Sequence, residues 1–218
     1  GMLVQLFISG MNSALTPWMY SKIKKGDICS MRKVLQLLSV VVVGIAVALM
    51  LISPELVLIF GSPKYREAVY VIPPVAASVF FIFIYNILSM PQFYYEKTQF
   101  LMAASMAAAG ANVVLNFIFI RLFGYIAAGY TTLACYMLYS VGHYIVSKRI
   151  LVNEEIQENL MSPGFLVACS VFLIGASIIC NLIFPYRILR YAILLASAGL
   201  VFWKKELLLK TMADIRKK

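Results

Sequence analysis

Long apolar runs separated by short polar breaks dominate the sequence. A helix that crosses a bilayer needs about 20 mainly apolar residues, and the chain offers a series of runs of about that length. The pattern predicts six full spans and one partial span at the start, over residues 2–20, 34–60, 68–90, 100–123, 126–146, 165–184 and 188–203. We therefore predict an all-α fold, a polytopic transmembrane helix bundle that forms one membrane domain over residues 1–218.

Proline, glycine and serine mark the ends of these runs. Such residues are typical of turns and helix ends. We expect breaks at Pro54, 61–63, Pro91, Gly124, 162–164 and Pro185. The connections between runs are short, so the pattern leaves no room for a soluble domain between spans.

Polar side chains within the runs recur on one helix face, at about 100° per residue. The fifth run has the widest stripe, made of Thr132, Tyr136, Tyr139, Ser140, His143 and Ser147. Four other runs carry narrower stripes: Gln5, Ser9, Asn12 and Thr16; Ser78, Tyr85, Ser89 and Gln92, with Asn86 off the stripe; Thr98, Ser105, Asn112 and Asn116; Ser170, Ser177 and Asn181. The second and last runs have no such stripe and are expected to face lipid or lie at the periphery.

The stripes allow two interpretations. Several helices could turn hydroxyl, amide and aromatic groups toward one wet or substrate-filled cavity. Alternatively, these groups could form interhelical hydrogen bonds in a dry bundle, at about 0.6 kcal/mol each. The alanine-rich fourth run, with Gly110, favours close packing, whereas tyrosine and asparagine at mid-membrane depth suit sugar hydroxyls and ring stacking.

Composition agrees with a membrane protein. Apolar residues make up 62% of the chain and charged residues only 13%, half the charge typical of a soluble domain. Disordered, collagen-like and coiled-coil chains need charge or glycine periodicity that this sequence lacks. The four cysteines show no metal-binding or CxxC spacing, so a disulfide framework is not predicted.

Lysine and arginine are unevenly divided between alternate loops. Fourteen of the 19 fall on one side: Lys22, Lys24, Lys25, Arg32, Lys33, Lys97, Lys148, Arg149, Lys204, Lys205, Lys210, Arg216, Lys217 and Lys218. The other side takes Lys64, Arg66, Arg121, Arg187 and Arg190. The positive-inside rule therefore predicts a cytoplasmic C-terminus and a first span that starts outside. Because an external start without a signal peptide is unusual, we expect further sequence before Gly1.

Chemistry-bearing motifs are scarce. No Asp or Glu lies in the centre of a span, since Glu55 and Glu96 fall near span ends. Walker A, GxSxG and HExxH motifs are missing, so we predict no enzyme activity, no metal site and no cofactor. A lone intramembrane histidine such as His143 is more often a packing residue than a proton carrier. Lys97 and Arg121 flank the fourth run and could contact an anionic head group, although cations there usually anchor a span at the interface.

Several segments resemble a known family. They are residues 96–98 (EKT), the pair Asn112 and Asn116, and residues 123–133 (FGYIAAGYTTL). Residues 12–20 with the basic loop after them, and residues 55–65 followed by Ala68 and Pro73, add to the pattern. Together they resemble the C-terminal half of Wzx-type polysaccharide flippases, which belong to the multidrug/oligosaccharidyl-lipid/polysaccharide superfamily.

The resemblance implies a two-lobe transporter in the bacterial cytoplasmic (inner) membrane. This chain would supply most of the second lobe, and a missing N-terminal lobe would be its partner. The substrate implied is an undecaprenyl-pyrophosphate-linked oligosaccharide repeat unit, flipped by alternating access for surface polysaccharide synthesis. Membrane lipid and the polysaccharide polymerase machinery are further expected partners, and nucleic acid is not. The scarcity of central charge departs from the cationic cavity that a pyrophosphate requires.

The positions of polar residues around each helix predict which residues line a substrate cavity. These are Asn12, Tyr85, Gln92, Asn112, Asn116, Tyr136, Tyr139 and His143, with Lys97 and Arg121 as head-group contacts. Two other functions stay open: a drug or ion antiporter of the same superfamily, and a non-transporting membrane subunit in which the stripes only pack.

Overall fold

The computed structural model describes residues 2–61 and 63–203, and this part of the chain consists of helices joined by short turns and loops, without strands. Seven α-helices and one 3-10 segment follow each other: α1 (Met2–Lys24), α2 (Ile28–Phe60), the 3-10 segment (Pro63–Val71), α3 (Ile72–Tyr94), α4 (Gln99–Phe123), α5 (Ala127–Asn153), α6 (Pro163–Ile183) and α7 (Arg187–Trp203). The predicted all-α bundle is confirmed. The residues 204–218 and the side chains of Gln5 and Lys64 lie outside the described part, and with them the predicted cytoplasmic C-terminus.

Within the described residues, four helices are long and apolar enough to cross a membrane, with spans over Ile28–Phe60, Arg66–Tyr94, Gln99–Phe123 and Pro163–Ile183. By length and composition, the chain is therefore a multi-pass membrane protein. The 27-residue α5 is also long enough, but its polar stripe lowers its mean hydropathy. The predicted third run begins as the 3-10 segment, and α2 and α5 extend further toward one end of the bundle than predicted.

The predicted breaks at Pro54 and Pro91 are wrong, since α2 continues through Pro54 and α3 through Pro91. Proline removes an amide donor and leaves the carbonyl four residues earlier without its partner. In α2 that carbonyl belongs to Met50, and it accepts a hydrogen bond from Ser53 Oγ at 2.8 Å. A local side-chain donor therefore replaces the missing amide, and the helix continues.

Helix α3 lies at the centre of the bundle and contacts α1, α2, α5 and α6. Its Phe80 and Phe83 are fully buried. Helix α2 packs on α3 through an apolar face that repeats every three or four residues, made of Met31, Leu35, Val42, Ala46 and Met50. The expectation that the second run faces lipid or lies at the periphery is therefore wrong for one of its faces. That face is buried and mainly apolar, and its two serines, Ser39 and Ser53, donate to carbonyl groups of α2 itself.

Contacts between loops divide them into two ends. At one end, Lys97 Nζ lies 3.0 Å from Glu154 Oε1 and Arg32 Nη2 lies 3.6 Å from Glu158 Oε2. This end, which we call the basic end, also holds Lys148. At the opposite end, Tyr125 Oη donates to Glu67 at 3.0 Å. Loops that alternate along the chain therefore lie together, as the sorting of lysine and arginine assumed.

Glycine determines how α5 begins. Gly124 has φ +76°, a left-handed conformation that closes the turn after α4. At Gly129, an added Cβ would lie 2.8 Å from Pro74 Cγ and 2.9 Å from the Val71 carbonyl oxygen. The absent side chain lets the first turn of α5 approach the start of α3 closely.

Candidate functional site

A first cavity of about 350 Å³ lies between α3, α4 and α5. We call it the Asn112 cavity. Its lining consists of Tyr85, Ser105, Ala108, Ala109, Asn112, Thr132, Cys135, Tyr136 and Tyr139. The alanines on α4 are small, so they leave open space above the larger α5 side chains. Ser105 and Ala109 are exposed, which means that the cavity reaches the protein surface.

A second cavity of about 400 Å³ adjoins it between α1, α3 and α5. We call it the Asn12 cavity. It is lined by Ile8, Ser9, Asn12, Ser13, Thr16, Ile82, Tyr85, Asn86 and Tyr136. The Oδ1 atom of Asn12 is buried and has no hydrogen-bond partner among the described residues. The Asn12 amide oxygen is therefore an unpaired acceptor in the wall of this cavity.

Tyr85 and Tyr136 belong to both cavities. Their rings are nearly parallel, at an interplanar angle of 4° and a centroid distance of 6.3 Å. Tyr139 extends the cluster, with its ring centroid 4.7 Å from that of Tyr85 and its hydroxyl oxygen 2.8 Å from Ser105 Oγ. Each aromatic pair of this kind stabilises a fold by about 0.5–1.5 kcal/mol beyond the contribution of its buried area. The cluster therefore forms a rigid wall shared by the two cavities.

The two cavities, which we call together the polar cavities, present a neutral surface. Among the described residues that line them, none is Asp, Glu, Lys, Arg or His. Their polar atoms belong to hydroxyl and amide groups, which both donate and accept hydrogen bonds. Such a surface suits a hydroxyl-rich neutral ligand better than an ion.

Asn116 lies behind Asn112 and does not line the cavities. Its Nδ2 donates to Asn112 Oδ1 at 2.9 Å, and its Oδ1 accepts from Thr131 Oγ1 at 2.6 Å. The spacing of four residues places the two amides one helical turn apart on α4. Asn116 therefore holds the amide of Asn112 in place.

Gln92 and His143 are fully buried between α3 and α5 and line neither cavity. The His143 ring lies directly behind the lining, edge-on to Tyr139 at a centroid distance of 4.5 Å. Gln92 Nε2 lies 2.8 Å from His143 Nδ1. In this orientation the Gln92 amide also donates to the Leu88 carbonyl at 3.3 Å, and Nδ1 of His143 is the acceptor. Nε2 of His143 has no hydrogen-bond partner among the described residues. The two residues that we predicted to line a cavity instead join two helices. The position of a residue around its helix does not distinguish a cavity-lining side chain from one buried between helices. Helix α3 buries one half of the α5 stripe and leaves the other half open.

Lys97 and Arg121 lie at opposite ends of α4. Lys97 pairs with Glu154, and the Arg121 guanidinium lies 3.8 Å from the ring centroid of Phe117. Both side chains are exposed and neither lines a polar cavity. Their role as head-group contacts stays a prediction.

Sequence phase missed several polar groups. Asn86 was placed off the stripe, yet it lines the Asn12 cavity beside Tyr85, because that cavity spans the gap from α1 to α5 and meets two neighbouring faces of α3. Ser13 lines the same cavity. Thr131 supports Asn116 from α5. The only sequence signal for Thr131 was its own hydroxyl group, one residue before the start of the predicted stripe in the fifth run.

An ion pair between α2 and α7 was also missed. The Arg190 guanidinium contacts the Glu55 carboxylate through two hydrogen bonds of 2.8 Å. The sequence placed both residues near span ends, and nothing in it indicated that α7 packs on α2. Among the described residues, no group of three or more His, Cys, Asp or Glu side chains could hold a metal ion.

Comparison of the chain with protein-family models, with curated proteins and with solved structures gives no match.

Proposed function

We propose that this chain is part of a membrane transporter that flips undecaprenyl-pyrophosphate-linked oligosaccharide repeat units across the bacterial cytoplasmic membrane for surface polysaccharide synthesis. The observation that supports this most is the pair of adjoining polar cavities. Their combined lining is neutral, rich in hydroxyl and amide groups, and built around stacked tyrosines.

A sugar ring has the chemistry that this surface complements. Its hydroxyl groups can exchange hydrogen bonds with Asn112, Asn12 and Ser105, while its apolar C–H face can lie on Tyr85 or Tyr136. Sites for hydroxyl-rich ligands gain orientation from a few placed polar groups. The resemblance of residues 96–133 to polysaccharide flippases points to the same substrate class. The pyrophosphate would be bound by cations outside the polar cavities.

The main alternative is a non-transporting membrane subunit. The closed set of hydrogen bonds among Asn112, Asn116 and Thr131 favours it, because polar groups in a dry bundle satisfy one another in this way. An ion antiporter of the same superfamily is disfavoured by the absence of carboxylates from the described lining of the polar cavities.

The test replaces a tyrosine shared by both cavities. In proteoliposomes that contain the complete gene product and the lipid-linked repeat unit extracted from the producing bacterium, we expect Tyr85→Leu to lower the flipping rate about tenfold. Tyr186→Leu is the matched control, since Tyr186 is 65% exposed and lies outside both cavities. Wild-type flipping by Tyr85→Leu, or no flipping by the unmodified protein, would overturn the proposal.

A further inference from the structure

An apolar groove of about 180 Å³ lies between α3, α5 and α6. It shares no lining residue with the polar cavities. Its described lining includes Phe80, Phe81, Val141, Tyr144, Leu166 and Val167. The volume equals about six times the roughly 30 Å³ that a water molecule occupies in the liquid, which is enough for a short stretch of hydrocarbon chain.

The groove offers almost no hydrogen bonding to water. Two serines line it, and both hydroxyls are already bonded to their own helices: Ser140 Oγ donates to the Met137 carbonyl at 2.8 Å and Ser170 Oγ to the Leu166 carbonyl at 2.7 Å. Water needs two to four polar partners to remain in a cavity. The Tyr144 hydroxyl is the remaining polar group of the described lining, so water would find too few partners here and an apolar occupant fits the groove better.

The groove opens on the outer surface of the bundle. Val141 on one side and Val167 on the other are 55% and 62% exposed. Because α3 and α6, which form two walls of the groove, are among the described helices long and apolar enough to cross a bilayer, we expect this surface to meet lipid. A hydrocarbon chain of a membrane lipid is the apolar group available to enter it.

Lys148 follows the groove-lining residues of α5 toward the basic end. Val141, Tyr144 and Lys148 lie three and seven residues apart, so they share one face of α5. Lys148 is exposed and lies beyond Tyr144 toward the basic end, where Pro163 of the groove lining begins α6. The neighbouring Arg149 is exposed too and adds positive charge. A cation at the edge of an apolar groove complements a negatively charged lipid head group.

We propose that this groove binds one anionic phospholipid from the bilayer, with an acyl chain between α5 and α6 and the phosphate beside Lys148. The site is independent of the polar cavities and of the proposed transport function. The bound lipid differs from the other lipids around the bundle in two ways. Its acyl chain lies in the groove, and its phosphate lies beside Lys148.

The test measures lipid retained by the complete gene product after purification from nanodiscs that contain equal amounts of phosphatidylglycerol and phosphatidylcholine, by mass spectrometry of the intact complex. We expect one phosphatidylglycerol per protein. Val141→Phe fills the groove and should lower this retention at least fivefold, and Val167→Phe, on the other side, should do the same. Val113→Phe is the matched control, since Val113 is 69% exposed and lies on α4 away from the groove.

The charge is tested separately. Lys148→Gln should lower phosphatidylglycerol retention about fivefold, whereas Arg121→Gln, at the opposite end, should leave it unchanged. Equal retention of both lipids by the unmodified protein, or unchanged retention in both groove-filling variants, would overturn the proposal. So would preferential retention of a polyprenyl phosphate added in competition.

Discussion

Arg190 of α7 and Glu55 of α2 form a bidentate ion pair within the bundle. Arg190 Nη1 donates to Glu55 Oε2 and Nη2 to Oε1, each at 2.8 Å, and Nη1 also donates to the Leu51 carbonyl at 2.7 Å. Tyr191 Oη donates to Glu55 Oε1 at 3.0 Å. Arg190 is only 3% exposed. Charge buried in this way requires a partner, so the pair fixes α7 on α2.

Removing both members of this pair should cost less stability than the sum of the two single removals. We expect Glu55→Leu alone to lower the free energy of unfolding by about 3 kcal/mol, because it leaves the buried Arg190 charge unpaired. Arg190→Leu should cost less, because the Glu55 carboxylate that it leaves is partly exposed. The double variant should be less destabilised than the sum of the two. The measurement is SDS-induced unfolding of the purified protein, with Arg66→Leu as an exposed arginine control outside this network. Additive losses would show that the two charges are not coupled.

His143 and Tyr136 should separate stability from transport. Because His143 is fully buried against Gln92 and packs behind Tyr139 without lining a polar cavity, His143→Leu should lower the free energy of unfolding by about 1–3 kcal/mol. Its flipping rate per folded protein should stay near that of the unmodified protein. Tyr136→Leu should do the reverse and lower flipping more than stability. A flipping loss in His143→Leu without destabilisation would return His143 to the substrate site.

Asn116 should act through Asn112. Since Asn116 Nδ2 donates to Asn112 Oδ1, we expect Asn116→Leu to free the Asn112 amide and lower surface polysaccharide output several-fold at an unchanged membrane protein level. The readout is the polymer ladder on a gel, normalised to an immunoblot of the protein. Leu115→Asn, one residue away, controls for the presence of an amide on α4. A normal ladder in Asn116→Leu would remove Asn116 from the site.

Water access should differ between adjacent residues of α4. Asn112 lines its cavity, whereas Val113 is 69% exposed and lies outside it. After replacement of the four native cysteines, Asn112→Cys should react with a membrane-impermeant maleimide and Val113→Cys should not. Gln157→Cys, in an exposed loop, serves as the positive control. Reaction at the loop without reaction at position 112 would indicate a dry interior and favour the non-transporting subunit.

The contribution of the turn between α1 and α2 to thermal stability should change only in strong acid. The hydrogen bond from Lys22 lowers the pKa of Asp27 from 3.8 to about 2, and the Ser30 amide contributes in the same direction. A pKa lowered by folding stabilises the fold above the unfolded value, and this contribution is lost as the pH falls through the folded value. Thermal stability should therefore be unaffected by this group between pH 5 and 7. The difference in Tm between the unmodified protein and Asp27→Asn should shrink from about pH 4 to pH 2, and a constant difference would contradict the assignment.

The sequence predicted which polar residues face the interior of the bundle better than it predicted which of them reach an open cavity. The phase of Asn12, Tyr85, Asn112, Tyr136 and Tyr139 places them on the inner faces of their helices, and all five line the polar cavities. The same phase rule also selected Gln92 and His143, which α3 and α5 bury against each other. Periodicity gives the direction of a side chain around its own helix, but not whether a neighbouring helix covers it.

Apolar length and polar periodicity along the chain were enough by themselves to determine a helical membrane bundle, because backbone groups in lipid must be satisfied within a helix. The tertiary structure decided which polar faces meet open space, which prolines are tolerated within helices, and that Glu55 pairs with Arg190 across 135 residues of sequence. These outcomes depend on which helices are neighbours. Neighbouring helices in a bundle are selected by packing and hydrogen bonding between distant segments, and a hydropathy pattern carries no record of those contacts.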